Sequence, residues 1–313
     1  MTDTPATERP APEPGVYQGV SFDDYLAWPL VSRSALLWME ESPAHCRASQ
    51  RGEIEGESTR AQKFGTAMHA ALLEPDHYKA DYLIASPCSA LLKSGTRQGQ
   101  ECGATPSHYL DGRWTCGKHA IGEPPREFVT IDESERIAAI AKKVQSHAVV
   151  NLFRHRGGFE ASIVGELEGV RCKIRCDKLR VSDTHLSLIA DVKKVRMGYA
   201  GQSAFFNSVQ EYGYEVQAAF YLDVAEAATG HRFRDKVNQP TFFFVVIEDS
   251  PPHEIGVYQI TDELYSIGRS RYRNALLRYK ECKERNEWPG ICTDINYLDV
   301  PTWYLRKYGL EGR

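Results

Sequence analysis

The chain has 313 residues, 42% hydrophobic, 26% charged and 11% aromatic, enough to bury one large core or two small ones. Its 38 basic and 42 acidic residues leave a formal charge of −4, which excludes a histone-like blanket of positive charge but not a local basic groove. No run approaches the roughly 18 apolar residues of a membrane span, and the polar, Pro-rich start lacks a secretory pattern. The expected setting is therefore the cytoplasm, without a membrane partner, where eight cysteines point to metal or core packing rather than disulfides.

Residues 1–15 (MTDTPATERPAPEPG) are expected to be a disordered tail, and residues 16–85 a helical N-terminal region. Within it, 34–39 reads as an amphipathic helix ending before Ser42-Pro43, because proline disfavours helix in the residue before it. Thr59-Arg60-Ala61-Gln62 fits a capping box for a helix reaching about Glu74. Residues 86–126 lose periodicity: six glycines, four prolines and three cysteines show no helix or strand pattern. A loop of that length is uncommon unless something organises it. Residues 127–313 are expected to form the main body. Here 133–149 reads as a helix with Ile137, Ile140, Ala141 and Val144 at 3–4 spacing. Strands are expected at 159–167 and 170–179 around Glu168-Gly169, then at 186–192. A helix at 214–229 closes on Gly230. The apolar strand 241–247 pairs with 255–260, and a long helix over 261–285 precedes an irregular tail. This order predicts an α/β fold with a mixed sheet flanked by helices.

Two acids, Asp177 and Asp191, end predicted apolar strands. In Asp191-Val192-Lys193 the period of two puts the acid and the lysine on one strand face. Carboxylates on adjacent strands can hold a hard divalent cation whose shell is completed by water and phosphate. A lysine beside it can position water or stabilise charge in the transition state. Asp-x-Lys is common by chance and is ordinarily a solvated strand edge, but both acids here follow apolar segments. Such a site is that of a metal-dependent phosphodiesterase. Basic residues crowd the same strands, and Arg175, Lys194 and Arg196 are candidate contacts to a DNA backbone, with no base-reading motif in view. The final helix is basic too, which by itself is more often a solvated face.

Within the aperiodic stretch, Cys88, Cys102, Cys116 and His119 form a C-x13-C-x13-C-x2-H array. Three sulfurs and an imidazole suit tetrahedral Zn2+, whose binding would supply the order that this stretch lacks. A flexible loop with unrelated thiols is the alternative, and His108 is a substitute ligand. Cys172 and Cys176 share a strand face with nothing nearby to complete a set.

Cys176-Asp177 followed by Ile189-Ala190-Asp191-Val192-Lys193 resembles the PD-(D/E)xK nuclease core, with Cys176 where proline is usual. Tyr214-Glu215-Val216-Gln217-Ala218-Ala219-Phe220-Tyr221 resembles a Q-x-x-x-Y motif, and Gly65-Thr66-Ala67-Met68-His69 a G-x-x-x-H motif. With Ser32-Arg33-Ser34, Ser42-Pro43-Ala44-His45 and Pro301-Thr302-Trp303, the chain is similar to the exodeoxyribonuclease VIII (RecE-type) family of phages and prophages. The likeness spans nearly all of the chain except the tail and the Cys-rich insert. The insert itself resembles short elements with the pattern C…K-S-G…C…C-G-x-H, through Cys88, Lys93-Ser94-Gly95, Cys102 and Cys116 to His119.

The resemblance implies a restriction-endonuclease-like core with a helical N-terminal region and a small zinc-stabilised insert. It implies Mg2+ or Mn2+ held by His69, Asp177, Asp191 and the Val192 backbone carbonyl, with Lys193 serving the attacking water. Gln217 and Tyr221 would brace the site, and Glu160 is a secondary candidate. Arg33 and Ser34 would hold a 5′ phosphate. The implied activity is 5′ to 3′ degradation of linear double-stranded DNA, leaving single strands for recombination. The implied partners are DNA ends and a single-strand annealing protein, and the family forms ring-shaped homo-oligomers. A catalytically silent DNA-end or protein-binding module and a structure-specific endonuclease are the alternatives. Relatives with an iron–sulfur cluster use three clustered downstream cysteines; only Cys282 and Cys292 lie downstream here, so that cluster is not expected.

Overall fold

The computed structural model describes residues 11–54, 59–122, 127–154, 157–292, 294–295 and 297–310. In chain order, β1 (Gly15–Tyr17), α1 (Phe22–Ala27), α2 (Arg33–Glu41), α3 (Pro43–Gln50), α4 (Arg60–Leu73), α5 (Pro75–Asp81) and β2 (Leu83–Ala85) precede the Cys-rich insert, which holds β3 (His108–Leu110) and β4 (Arg113–Thr115). After it come β5 (Phe128–Thr130), α6 (Ile131–Ser146), α7 (Ala148–Arg154), β6 (Gly158–Leu167), β7 (Val170–Arg180) and β8 (Leu188–Val195). The chain continues with α8 (Gln202–Tyr212), α9 (Tyr214–Thr229), β9 (Phe242–Glu248), β10 (Ile255–Gln259), α10 (Asp262–Arg285) and α11 (Thr302–Lys307). No helix among the described residues is long and apolar enough to cross a membrane.

Helices start where local chemistry satisfies their first N–H groups. Thr59 and Gln62 form the expected capping box of α4, and Thr130 with Glu133 forms a second at α6. Ser32 caps α2 and Thr261 caps α10.

Six strands form one sheet in the order β1-β6-β7-β8-β9-β10. All neighbours are antiparallel except β8 and β9, which are parallel, so the sheet is mixed as expected. Strand β9 is apolar from Phe242 to Ile247 because both of its faces are covered. Phe242, Phe244 and Val246 enter a core with Leu36 of α2, Phe220 of α9 and Leu276 of α10. Val245 and Ile247 face a second core with Phe64 and Met68 of α4 and Ile140 of α6.

Helix α9 lies between the sheet and α10 and is buried from Glu215 to Phe220 and from Leu222 to Ala225. Two glycines permit this approach. A Cβ at Gly165 of β6 would sit 2.6 Å from the Val224 carbonyl, and one at Gly268 of α10 would collide with the Glu215 carbonyl.

The strand pairing that places the candidate site is that of β7 and β8. Their ladder runs only through Arg180–Leu188, Leu179–Ile189 and Lys178–Ala190. Beyond Ala190 the strands part, and the fork opens beside Asp177 and Asp191.

Several expectations are corrected. The expected tail, 1–15, is placed from residue 11: Gly15 begins β1 and Glu13 pairs with Arg171 at 2.9 Å, while 1–10 lie outside the described residues. The N-terminal region is not wholly helical, because β1 adds an edge to the main sheet. The insert, expected without strands, contains the β3–β4 hairpin. Its ends meet where β2 and β5 pair in parallel, so the excursion leaves and returns at one place; its last residues, 123–126, lie outside the described residues. The helix expected over 133–149 breaks at His147, whose backbone is extended. Helix α8 was not expected, since between Gly201 and Gly213 only Phe205 and Val209 are buried, too few to mark a helical period. The strand expected to end at Val192 continues to Val195, which brings Lys193 inside it.

Candidate active site

Where the β7–β8 ladder stops, Asp177 Oδ2 accepts the backbone N–H of Val192 at 2.7 Å. Across from Asp177, on β6, Glu160 has φ 49°, a left-handed conformation that costs a non-glycine residue about 1 kcal/mol or more. The β6–β7 register passes from Phe159–Lys178 to Ala161–Cys176 with no pair between them, and Glu160 fills that break. His69, on α4, brings Nδ1 to 3.6 Å from Asp177 Oδ2. One ligand atom from each of His69, Glu160 and Asp177 lies within 4.8 Å of the others. Three donors so spaced fit a single divalent cation at roughly 2.0–2.6 Å from each.

The electrostatics of the cluster favour a cation. Burial and the neighbouring Asp191 and Glu160 charges push the Asp177 carboxyl well above its ordinary value. Burial also raises Glu160, against the pull of Arg175. Asp177 and Glu160, crowded together in a half-buried fork, resist ionising together, and a divalent cation reverses that penalty. Burial lowers His69, which keeps its imidazole in the neutral form that a metal needs. The Val192 backbone lies next to the His69 ring and partly offsets that lowering.

Asp191 and Lys193 do share a face. Lys193 Nζ lies 2.7 Å from Asp191 Oδ2 and donates to Gln217 Oε1 at 3.0 Å. Gln217 Nε2 donates to Asp191 Oδ1 at 2.6 Å, closing a ring of three side chains. The Tyr214 ring lies 4.4 Å from the ammonium. Glu160, the secondary candidate, thus stands with His69 and Asp177, while Asp191 Oδ1 accepts from Gln217 and Oδ2 is ion-paired with Lys193 but accepts no hydrogen bond. Tyr221, one turn beyond Gln217, is edge-on to Phe242 at 6.2 Å, an apolar contact. Tyr214 was missed by the sequence reading. Its place three residues before Gln217, on the same side of α9, was the available signal.

The expected DNA contacts divide. Ser34 and Arg196 are exposed, Arg196 against the Tyr199 ring at 4.0 Å. Arg33 donates to the Tyr212 and Gly213 carbonyls at the α8–α9 junction. Arg175 bonds Glu160 at 2.6 Å, and Lys194 faces Asp249 at 3.4 Å. Much of the basic face of α10 is also paired internally: Arg271 with Glu40 and Glu215, and Arg273 with Glu168.

The insert gathers its four candidates. Cys88 Sγ lies 3.6 Å and Cys116 Sγ 3.4 Å from His119 Nδ1, and the Cys102 and Cys116 sulfurs are 4.0 Å apart. Tetrahedral zinc, with bonds of about 2.0–2.3 Å, has ligand–ligand edges of roughly 3.6–3.8 Å. All three cysteines are free of disulfides. Burial opposes the Cys116 thiolate, but hydrogen bonds from the Lys118 and His119 backbone, with the Cys88 and His119 side chains, bring it down to about 6. His108, the substitute, instead contacts Ser107 Oγ at 2.9 Å. Cys172 and Cys176 are buried in the main core.

Residues 32–301 match the family model described as PDDEXK-like domain of unknown function (DUF3799). Among solved structures, one named "Putative exonuclease", from Eubacterium rectale, is similar with a TM-score of 0.55 and 13% identity, over 92% of this chain and 98% of that one. That likeness is one of fold. A second, SSO0001, covers 48% of this chain and 73% of its own at 16% identity, and its TM-score of 0.23 carries no weight. No curated protein matches the sequence.

Proposed function

The chain belongs to the PDDEXK-like DUF3799 family, and on that premise we propose that it is a Mg2+- or Mn2+-dependent nuclease that degrades linear double-stranded DNA from its ends, 5′ to 3′. The observation that carries this reading is the β7–β8 fork, with His69, Glu160 and Asp177 grouped beside the Asp191–Lys193–Gln217 ring. His69, Glu160 and Asp177 would hold the cation. When bound, it would polarise a phosphodiester and make a coordinated water nucleophilic. Lys193, kept in place by Asp191 and Gln217, would orient that water or offset charge growing on the phosphate. Ser34 and Arg196 would meet backbone phosphates without reading sequence.

The name of the Eubacterium rectale structure agrees with attack at ends. Polarity, a role in recombination, an annealing partner and a ring-shaped assembly rest on the resemblance to RecE-type enzymes. We assign Cys88, Cys102, Cys116 and His119 to structural zinc, on the match between their spacing and a tetrahedral shell.

The test is incubation of end-labelled linear and closed circular duplexes with Mg2+. Metal-dependent loss of the linear form alone, with label released from the 5′ end, is the expected result. Equal cutting of the circle makes the enzyme an endonuclease, and cleavage of neither overturns the proposal. Asp177→Asn and Asp191→Asn should each lower kcat at least about 10²-fold, the scale of losing one transition-state-stabilising group.

A further inference from the structure

We propose that the cavity between α10 and the loop 231–240 is a phosphate-binding site separate from the fork. The cavity has a volume of about 500 Å3 and is lined by Arg232, Arg234, Arg269, Arg273, Ser266 and Ser270, among others. None of these stands at the fork. Four guanidinium groups meet there, and among the described residues Asp262 is the one acid in the lining.

The carboxylates that pair with these arginines do not cancel them. Asp262 bonds Arg234 at 2.9 Å, and Glu168 pairs with Arg273. Arg269 donates to Asp223 at 2.8 Å, but Asp223 is only 6% exposed and also accepts from the Tyr265 and Tyr272 hydroxyls. The hydrogen bond of Arg232 is to the neutral side chain of Asn238, at 3.1 Å. Among the described residues, three acids pair with these four cations, one of them behind the wall; Asp235 of the same loop is taken up by the Val237 and Gln239 backbone and by Gln259. Each guanidinium has N–H donors beyond those its own bonds use, in the planar fork that matches phosphate. Ser266 and Ser270, both exposed, lie one turn apart on α10 and add hydroxyl donors to the same wall.

The lining is polar, so the ligand is an oxyanion rather than an apolar molecule, and the volume is within the range of pockets that hold a nucleotide. The phosphate belongs either to a nucleic-acid backbone or to a small molecule such as a mononucleotide or inorganic phosphate. The choice of nucleic-acid probes rests on the nuclease reading; the chemistry of the cavity does not.

The experiment measures binding in EDTA, where cleavage does not occur. A labelled single-stranded oligonucleotide is followed by anisotropy, and dAMP and inorganic phosphate are used as competitors and as titrants. Arg232→Ala removes the least neutralised cation, and Ser270→Asp puts a negative charge on an exposed helix position. Both proteins should melt like the wild type. Each should weaken the affected ligand about tenfold, and Arg232→Ala should reduce the slope of log K against log salt by about one where the ligand is the oligonucleotide. Binding of the oligonucleotide alone assigns the site to a backbone. Binding of dAMP or phosphate with the same sensitivity assigns it to small anions. If none of the three binds in EDTA, or both variants bind as the wild type does, the proposal is overturned. A wild type that binds through this cavity yet cleaves nothing in Mg2+ leaves it standing and removes the nuclease reading instead.

Discussion

Gln217 shows how one neutral side chain can order two charged ones. It donates to Asp191 and accepts from Lys193, and at 4% exposure no water replaces it cheaply. Gln217→Ala leaves Asp191 Oδ1 short of its donor, which costs about 1–3 kcal/mol. The expected outcome is a lower melting temperature and a fall in kcat with little change in KM, read on a labelled duplex. An unchanged kcat would remove Gln217 from the positioning of Lys193. The motif residues Asp177, Asp191, Lys193 and Gln217 were legible because each sits in a short pattern. Glu160 could only be ranked second, because its place beside His69 and Asp177 depends on a left-handed backbone in mid-strand, and nothing in the residue's type announces that.

Elements position these residues through backbone contact. Gln217 rides on α9, and α9 keeps its depth because Gly165 and Gly268 let strand and helix backbones close on it. Gly268→Ala forces α10 outward against the Glu215 carbonyl, an overpacking cost of about 1–3 kcal/mol. Melting temperature should fall, and activity should fall with it as Gln217 moves. Full activity in a destabilised variant would separate the helix contact from the site. The insert is a second case. Its spacing of cysteines was readable, but its hairpin was not, since three-residue strands give too short a pattern to detect. Elemental analysis should find one zinc per wild-type chain and none in Cys116→Ser, whose insert should be the first part cleaved by protease. Metal-free wild type would refute the assignment. Helix α8 escaped notice for a related reason: its buried contacts, Phe205 and Val209, are too few to mark a periodicity.

At the scale of the molecule, a net charge of −4 conceals separate fields: acids crowded at the fork, arginines gathered between α10 and the loop 231–240, and ion pairs over much of the remaining surface. The fork couples stability to pH and, if it holds the proposed cation, to metal. Folding raises the Asp177 and Glu160 carboxyls, so without a cation the fold is not penalised below the ordinary carboxylate range. As pH rises through that range the unfolded chain ionises first, and stability falls until the folded groups ionise too. A divalent cation favours the ionised fork, so its stabilisation grows with pH. Melting curves in EDTA and in Mg2+ from about pH 5 to 8 should diverge as pH rises; parallel curves would mean that the cation binds elsewhere.

From sequence alone came the α/β class with its mixed sheet, the strands and helices that carry the acids, and two sets of chemically matched residues. These depend on capping, alternation and short spacings, all of which act within a few residues along the chain. Tertiary structure decided that Glu160 stands with His69 and Asp177, that Asp191 is held by Lys193 and Gln217, that β1 joins the sheet, and that four arginines meet at one cavity. Those outcomes follow from where β7 parts from β8 and how closely α9 and α10 approach. Such long-range geometry is set by the packing of whole faces, and no local pattern of side chains records it.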